Sequence, residues 1–372
     1  MNNAYRYALL LYREDETPLG QAALEPDWDP AVEWTWFEGL RRGRLGAGEP
    51  APEPAVRPLW LDGTGEPYLR GFRVELDGNG AGRSVCDFST AYFQAHAESA
   101  SSRLVEEGRL DAGDRYRYLA AAFPRTAAQG AGADAAFNVR AVPPELAIEE
   151  ASLADALAGA GLVGVETNGD MPVVLPPAVL AEAAQLARQA EGVETGGILI
   201  GHLHRDPAVP EIFARVTAQI PARETEADSV SLTFTAETWT DVRAALDLRH
   251  SGELMLGWWH SHPVREWCKD CSEEKQRQCP LAAGFLSAQD RALHRAVFPR
   301  AYSLALLAND VAFDEPTFTL FGWRQGRIER RGFHLLGSGA EGPLEPGPEP
   351  DGGQPAGEIC GRALAGDRGD DR

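Results

Sequence analysis

The chain has 372 residues, 44% of them hydrophobic and 24% charged, which is the composition of a folded protein with a packed core. Its 56 acidic residues against 35 basic ones give a formal charge of −21, which argues against binding to nucleic-acid phosphates. The odd number of cysteines, the lack of a signal-peptide pattern and the shortness of the apolar runs predict a cytoplasmic protein that does not bind a membrane.

The first predicted domain covers residues 1–125 and is a mixed α/β unit. Tyr5–Tyr12 and Gly71–Leu76 have the apolar and alternating patterns of strands, and residues 89–108 predict a helix. The pattern at Asp111–Phe123 is compatible with a helix or a strand. No motif in this domain indicates a chemical function, so by elimination we expect it to recognise a substrate or a partner.

Two segments with loop-like composition flank the second predicted domain. Residues 126–170 are rich in Gly and Ala and predict a connector with one short helix at Pro144–Ala158. Residues 337–372 are rich in Gly, Pro and acidic residues. They predict a disordered tail, because such a segment cannot bury enough apolar surface to fold.

Residues 171–336 show a clear alternation of strands and helices. A strand at Val173–Leu175 precedes a helix over Pro176–Glu191, which has Pro at its start and Gly just after its end. The later predicted elements are strands at Val193–Ile200, Ile212–Ile220 and Leu254–Trp259 and helices at Thr235–Arg249 and Ser287–Phe298.

Two histidines at the end of the predicted strand Leu254–Trp259 are candidate metal ligands. His260 and His262 lie at i and i+2, so their side chains point to the same face of an extended chain. Asp290, in the first turn of the helix that Ser287 begins, is the candidate third ligand, and a catalytic zinc site keeps its fourth position for water. The alternatives are a pair of core or surface histidines and an aspartate that only completes a Ser-x-x-Asp capping box.

Glu194 is the candidate general base. It lies in the mostly apolar stretch VETGGILIG, which predicts a buried strand, and a buried carboxylate is costly unless a charge or a metal lies nearby. A hydrolytic zinc site needs such a carboxylate to take a proton from water and hand it to the leaving amine. The alternative is a glutamate at a strand end that faces solvent. Gly196 and Gly197 follow, where another backbone or a substrate can come close.

Together these motifs resemble the JAMM (MPN+) metalloprotease family. ETGGILIG, HSHP and Ser-x-x-Asp occur in the family's order of Glu, then His-x-His, then Ser and Asp. The resemblance covers about Met171 to Leu336, and the 24 residues Pro263–Leu286 are an insertion where family members usually have a shorter loop. The fold implied is an α/β (α+β) domain with a curved mixed sheet flanked by helices.

The resemblance also implies a function and a role for each motif residue. His260, His262 and Asp290 would hold a catalytic Zn²⁺. Glu194 would act as general base and acid, and Ser287 would hydrogen-bond the tetrahedral oxyanion. The expected reaction is hydrolysis of an isopeptide or peptide bond after the C-terminal Gly-Gly of a ubiquitin-like protein or its conjugate. The alternatives are a non-catalytic scaffold with the same fold and a hydrolase of a small amide or a sulfur-carrier conjugate.

Three of the five cysteines lie in the insertion. Cys268, Cys271 and Cys279 have the spacing C-x2-C-x7-C, in which one tight turn brings two thiolates to a single metal. We predict a second, structural zinc here. His294 is the first candidate for its fourth ligand, because it lies one helical turn after Asp290.

The fourth ligand and the metal have alternatives. His204, His250 and Cys86 are further candidates for the ligand, although the segment Gly201–His204, which contains another His-x-His, is predicted to be a loop. The cysteines could instead bind an iron–sulfur cluster, form a redox thiol set or be unpaired loop residues. Trp258-Trp259 precedes the histidine pair, and we expect one ring to lie in the core and the other to cover the cleft.

Overall fold

The computed structural model describes most of the chain, which divides into two compact units. Unit 1 comprises Met1–Gly39, Glu49–Pro144 and Asp351–Arg372, and unit 2 comprises Leu40–Gly48 and Glu145–Pro350. The described residues are 4–47, 53–62, 67–78, 82–125, 146–222, 225–227, 232–272, 284–309, 316–337 and 359–362. None of the helices in these ranges is long and apolar enough to span a bilayer.

The helices and strands are numbered along the chain. Those of the first 125 residues are β1 (Tyr5–Arg13), β2 (Pro18–Leu24), α1 (Asp29–Arg41), β3 (Pro54–Trp60), β4 (Leu69–Asp77), β5 (Arg83–Ser89), a 3₁₀ turn (Thr90–Phe93), α2 (Gln94–Glu106) and β6 (Arg115–Pro124). Residues 146–272 form β7 (Ile148–Glu150), α3 (Leu153–Leu157), β8 (Ala160–Val163), β9 (Val173–Leu175), α4 (Pro177–Gln189), β10 (Gly196–Arg205), β11 (Ile212–Pro221), β12 (Thr225–Ala227), β13 (Leu232–Phe234), α5 (Ala236–Arg249), β14 (Leu254–His262) and α6 (Val264–Trp267). The remaining elements are α7 (Ala288–Val297), β15 (Leu304–Asn309), β16 (Thr317–Arg324), β17 (Arg327–Arg331), β18 (Phe333–Leu336) and β19 (Ile359–Arg362).

Unit 1 contains a four-stranded sheet and a three-stranded sheet, both antiparallel. Their strand orders are β19-β6-β1-β2 and β3-β4-β5. Phe72 of β4 and Phe88 of β5 stack with ring centroids 4.9 Å apart, and Trp28 meets Phe72 edge-on at 4.7 Å. Aromatic packing of this kind stabilises a sheet beyond the area it buries, so these rings form the core of the three-stranded sheet.

The ambiguous segment of unit 1, Asp111–Phe123, is a strand. It forms most of β6, which pairs with all nine residues of β1, with Leu9 opposite Ala120. The predicted helix at residues 89–108 is confirmed, although it opens with a 3₁₀ turn before α2 begins. Ala97 and Ala100 on α2 are buried, as expected for one face of an amphipathic helix.

Unit 2 is built on one long mixed sheet flanked by helices. Its order is β17-β16-β15-β14-β10-β11-β9-β18-β8, and β7 adds to β10 outside this path. Strand β10 lies at the centre of this order, and its neighbour β14 is antiparallel to β10 and parallel to β15. These three strands are almost continuously buried, which is typical of strands covered on both faces. The predicted α/β class with a mixed sheet flanked by helices is confirmed.

Helix α4 packs on the central strands and leads the chain into β10. It starts with Pro177, which suits the first helical turn, and it buries Val179, Ala183 and Ala187 at helical spacing. After the helix, Gly192 has a φ of 89°, a left-handed conformation that favours glycine. The turn that this glycine permits brings the following residues to the start of β10.

The structure differs from the prediction of a connector between residues 145 and 170. Strand β7 pairs in parallel with β10, and β8 pairs antiparallel with β18, so this stretch belongs to the sheet of unit 2. The helix predicted at Pro144–Ala158 is reduced to the five residues of α3. Strands of three or four residues depend on backbone hydrogen bonds to their neighbours, which composition does not reveal.

Strand β10 begins later and ends later than predicted. The segment Gly201–His204 lies inside the strand, so the prediction of a loop there is wrong. The register against β11 shifts between Ile200 and Gly201, and a Cβ on Gly201 would lie 2.1 Å from the carbonyl oxygen of Arg215. The glycine is therefore required for a bulge within the strand rather than for a turn.

Most of the predicted acidic tail, residues 337–372, lies outside the described residues. Within it, Ile359–Arg362 form β19, which pairs antiparallel with β6. The structure departs from the prediction of disorder at these four residues. Pairing with an open sheet edge uses backbone hydrogen bonds and does not require apolar side chains.

Glu253 anchors the start of β14 and provides a test of the fold. Its carboxylate accepts hydrogen bonds from Arg249, Ser251 and Thr217. These bonds, that of Arg249 foremost, lower the pKa of Glu253 from an ordinary 4.5 to about 2. We expect Glu253→Gln to lower the free energy of unfolding by about 2 kcal/mol at neutral pH. The deficit should shrink as the pH falls from 4.5 towards 2, because the wild-type carboxylate then becomes protonated and loses its advantage.

Urea denaturation followed by circular dichroism at neutral and acidic pH measures this deficit. Asp241→Asn is the control, since Asp241 is an exposed acid on α5 and the same charge is removed. The control should change stability little at any pH. A deficit for Glu253→Gln that is the same at neutral pH and at pH near 2 would contradict the assignment.

Candidate metal centre

The C-terminal end of β14 holds two buried imidazoles side by side. His260 and His262 are separated by one residue of an extended strand, so both rings point to the same face. Their Nε2 atoms are 3.1 Å apart, and the two residues are 0% and 2% exposed. The structure therefore brings together the two histidines that the sequence pattern indicates.

Asp290 reaches the same point from α7. Its Oδ1 lies 3.5 Å from Nε2 of His260, and its Oδ2 lies 3.8 Å from Nε2 of His262. Asp290 also completes a capping box, in which the backbone N–H of Ser287 donates to Oδ2 at 2.7 Å and the Asp290 N–H donates to the Ser287 Oγ at 3.1 Å. The two interpretations of Asp290 are compatible, because the cap fixes a carboxylate that faces the imidazoles.

The electrostatics of this cluster favour a charged carboxylate and a neutral ring. Burial acts to raise the pKa of Asp290, but the interactions with His260 and His262 outweigh it and hold that pKa well below its usual range. Burial lowers the pKa of His262, which favours the neutral imidazole with a free lone pair. Deprotonated donors of both kinds are what metal binding requires.

The spacing of the donor atoms fits a four-coordinate zinc ion. Zinc binds imidazole nitrogen and carboxylate oxygen at about 2.0–2.2 Å, so neighbouring donors of a tetrahedral set lie about 3.3 Å apart. The three separations here are 3.1, 3.5 and 3.8 Å. In the part of the chain that the structure describes, His260, His262 and Asp290 are the one group of three or more His, Cys, Asp or Glu side chains with such convergence.

Glu194 lies at the edge of this cluster. Its Oε1 is 4.0 Å from Nε2 of His262, and the residue is 4% exposed, so the solvent-facing alternative does not hold. It precedes β10 by two residues rather than lying inside a strand as predicted. Its neighbour Thr195 is tied to β14, since the Thr195 N–H donates to the Ser261 hydroxyl at 3.1 Å and the Thr195 carbonyl accepts the Ser261 N–H at 2.8 Å. The backbone of β14 thereby fixes Glu194 beside the histidine.

Gly197 allows the central strands to pack closely. A Cβ at this position would lie 2.5 Å from the carbonyl oxygen of Ile220 and 2.6 Å from Nε1 of Trp259. The close approach predicted here is therefore made by the protein itself rather than by a substrate. The Trp259 indole donates to Oε1 of Gln219 at 3.0 Å. Trp258 and Trp259 are both fully buried, so the prediction that one of them covers an open cleft is wrong.

Aromatic rings pack against both histidines. Trp258 stacks on His260 with ring centroids 4.6 Å apart and planes 12° apart. Trp267 and Phe285 each lie 5.0 Å from the His262 ring. Sequence reasoning missed Phe285, because a single phenylalanine before the Ser-x-x-Asp motif has no distinctive spacing. These contacts restrict the orientation of both candidate ligands.

The predicted second metal site is not assembled by the described residues. Cys268, just after α6, is buried and Cys271 is exposed, while Cys279 lies outside the described residues. His294, the first candidate for the fourth ligand, is buried in α7, where its Nδ1 accepts a hydrogen bond from Nε1 of Trp258 at 3.0 Å. Burial lowers the pKa of His294 to about 3. The structure thus gives His294 a different partner from the one predicted.

The other candidates for that fourth ligand lie elsewhere. His204 is in β10, with its Nδ1 3.8 Å from the Glu149 carboxylate. His250 is exposed at the C-terminal end of α5, and Cys86 is in β5 of unit 1. Among the described residues, none of the three belongs to a group of converging metal donors.

Comparison with known proteins finds a family model that matches the middle of the chain. Residues 176–266 match the family model described as prokaryotic homologs of the JAB domain. This part of the chain is similar to JAB domains, which is consistent with a domain of the JAMM/MPN type. The resemblance to the JAMM (MPN+) family is confirmed, and the matched residues include Glu194, His260 and His262. Ser287 and Asp290 lie beyond the match, and the capping box and the distances above connect them to the histidines.

The chain is also similar to a solved structure, the solution structure of protein DSY2949 from Desulfitobacterium hafniense. The two share 21% sequence identity, and the similarity covers 44% of this chain and 92% of that chain with a TM-score of 0.30. No curated protein matches the chain.

The role of Asp290 as a zinc ligand can be tested by removing its charge. We expect Asp290→Asn to weaken zinc binding by about tenfold or more, because a neutral amide is a poorer ligand than a carboxylate. The dissociation constant is measured by competition with a chromophoric chelator, starting from metal-free protein.

Asp155→Asn is the matched control for that measurement. Asp155 occupies the same place in a second Ser-x-x-Asp motif, where its N–H donates to Oγ of Ser152 at 3.2 Å, and it belongs to no metal-donor group of the described residues. Its zinc affinity should equal that of the wild type. Unchanged affinity in Asp290→Asn, or the same loss in both variants, would exclude Asp290 as a ligand.

Proposed function

We propose that the chain is a zinc-dependent isopeptidase or peptidase whose substrate is the C-terminal tail of a ubiquitin-like protein or its conjugate. One observation carries the proposal: two imidazoles and a carboxylate converge on one point, and a second carboxylate, that of Glu194, lies 4.0 Å from His262. The match to the JAB family model supports it, because the matched residues include Glu194 and both histidines.

His260, His262 and Asp290 would hold the metal. Three protein ligands leave the fourth position of a tetrahedral zinc open, which distinguishes a catalytic site from a closed structural one. When bound, zinc supplies Lewis acidity that polarises the scissile carbonyl and makes water more acidic. The remaining steps depend on the side chains around it.

Glu194 would transfer the proton. It would accept a proton from the attacking water at a carboxylate oxygen and donate it to the nitrogen of the leaving amine as the amide bond breaks. The residue is almost excluded from solvent and its backbone is fixed through Thr195 and Ser261. It is therefore close to the ligands without being one of the three.

Ser287 would stabilise the oxyanion. Its hydroxyl oxygen accepts the Asp290 N–H, and a hydroxyl that accepts one hydrogen bond can still donate another. We propose that this O–H donates to the substrate carbonyl oxygen as negative charge develops there. The N-terminus of α7, where Ser287 is held, favours negative charge as well.

The site suits a substrate with a narrow, extended C-terminal tail. The donor side chains are almost entirely buried, and Asp290, the most exposed of the three ligands, is 13% exposed. Glycine has no side chain, so an extended Gly-Gly tail needs the smallest opening of any peptide. This argument agrees with the substrates of the JAMM family that the sequence resembles.

The two alternative functions differ in what they require of the site. A non-catalytic scaffold does not need a complete set of ligands or a buried carboxylate beside it, so the convergence of all four side chains favours a hydrolase. A hydrolase of a small amide or a sulfur-carrier conjugate would use the same residues. A panel of protein and small-molecule amides separates these substrates.

Glu194→Gln tests the mechanism. We expect kcat/KM for a fluorogenic amide at the C-terminus of a ubiquitin-like protein to fall by about 100-fold or more, because the amide side chain cannot accept the proton of water. The zinc dissociation constant, measured in parallel, should change little, since Glu194 is not one of the three ligands.

Glu191→Gln is the control, because Glu191 is exposed and lies three residues before Glu194 in the chain. Its activity should match that of the wild type. Equal cleavage by Glu194→Gln and wild type would refute the mechanism. A zinc-loaded wild type that cleaves no amide in the panel would favour the scaffold.

A further inference from the structure

A buried polar pair lies directly behind the candidate metal centre. Trp258 and His294 are both 0% exposed, and the indole Nε1 donates to Nδ1 of His294 at 3.0 Å. The other ring nitrogen, Nε2, has no hydrogen-bond partner among the described residues. Burying an imidazole with one nitrogen unsatisfied is costly, and two apolar side chains of similar shape could fill the same space. The pair therefore calls for an explanation beyond core packing.

The indole of this pair is in contact with a candidate ligand. The Trp258 and His260 rings are nearly parallel: the angle between their planes is 12°, and their centroids are 4.6 Å apart. Stacking confines the His260 ring to one plane. In that plane its Nε2 lies 3.1 Å from Nε2 of His262 and 3.5 Å from Asp290. A ring that is held in this plane keeps its lone pair directed at the metal position.

Helix α7 contacts both the His260 ring and the Trp258 ring that stacks on it. Asp290 and His294 are four residues apart on α7, so they lie on the same helix face. Asp290 lies beside Nε2 of His260, the ring nitrogen that faces the candidate metal position. His294 accepts the hydrogen bond of Trp258, whose indole lies against the face of the His260 ring. On β14, Trp258 and His260 are two residues apart, so their side chains lie on the same face of the strand. The helix and the strand therefore fix the orientation of His260 jointly.

We infer that Trp258 and His294 are positioning residues for the metal centre: the hydrogen bond between them fixes the indole against which the His260 ring stacks. The inference rests on the proposed zinc site and deepens it. His294 is neutral, because burial keeps its pKa far below physiological pH, so its Nδ1 is an acceptor and its proton is on Nε2. Neither residue touches the metal position, so their effect passes through His260.

Three substitutions separate the hydrogen bond from the packing. His294→Leu removes the acceptor and keeps an apolar side chain of similar size. His294→Asn keeps an acceptor oxygen close to the place of Nδ1. Trp258→Phe keeps a ring that can stack and removes the donor.

Trp259→Phe is the matched control. Trp259 is the next residue of β14, is equally buried and donates its own indole N–H to Gln219 at 3.0 Å. Trp259 makes the same kind of hydrogen bond, but its partner Gln219 lies on β11 rather than on α7.

Zinc affinity is the main measurement, made by chelator competition on metal-free protein whose folding is checked by circular dichroism. We expect His294→Leu and Trp258→Phe to weaken zinc binding by about 10- to 100-fold, the range found when groups that orient metal ligands are lost. His294→Asn should restore the affinity to within a few fold of wild type, and Trp259→Phe should not change it.

A second readout needs no metal. The indole N–H proton of Trp258, assigned by its loss in Trp258→Phe, should resonate downfield in the metal-free wild type and in His294→Asn. It should move upfield in His294→Leu, where the acceptor is gone.

The outcomes separate this inference from the proposed function. If wild type binds zinc and His294→Leu or, should that variant not fold, Trp258→Phe binds it equally well, the positioning role is refuted and the hydrolase proposal stands. The same holds if Trp259→Phe loses as much affinity as the other variants, because the pair is then ordinary core. If wild type binds no zinc, both proposals fail.

Discussion

The contact of the Asp290 carboxylate, which is largely shielded from solvent, with two imidazoles at the end of β14 is the interaction on which the site depends. A carboxylate that has lost most of its contact with water needs other groups to replace the lost solvation. Here the Ser287 N–H and the rings of His260 and His262 do so. The requirement fixes the position of the first turn of α7 relative to β14, and with it the place of Ser287. A cation at the centre would complete the same compensation.

The parts of this site that could be predicted from the sequence are those set by local geometry. The two-residue period of a strand puts His260 and His262 on one face wherever that strand lies. The Ser-x-x-Asp spacing at Ser287 predicts a capped helix start, because the cap is a contact between residues three apart. The order of these motifs along the chain was sufficient to identify the fold of unit 2.

The parts that could not be predicted depend on residues far apart in the chain. Nothing in the sequence near His294 indicates that a tryptophan 36 residues earlier donates to it. Spacing on α7 suggests that His294 faces the metal because Asp290 does, yet the neighbouring strand supplies Trp258 as its partner. Strand β7 was missed for a similar reason, since three residues become a strand only through pairing with β10.

The predicted 24-residue insertion, Pro263–Leu286, has an aromatic residue near each end that packs against the same ring. Trp267, near its start, and Phe285, near its end, both pack against His262 at 5.0 Å. Trp267 and Phe285 are therefore close together in space, although 17 residues separate them in the chain. We therefore expect that the chain between Trp267 and Phe285 can be replaced by a new recognition loop without moving His262, provided that both aromatic contacts are kept.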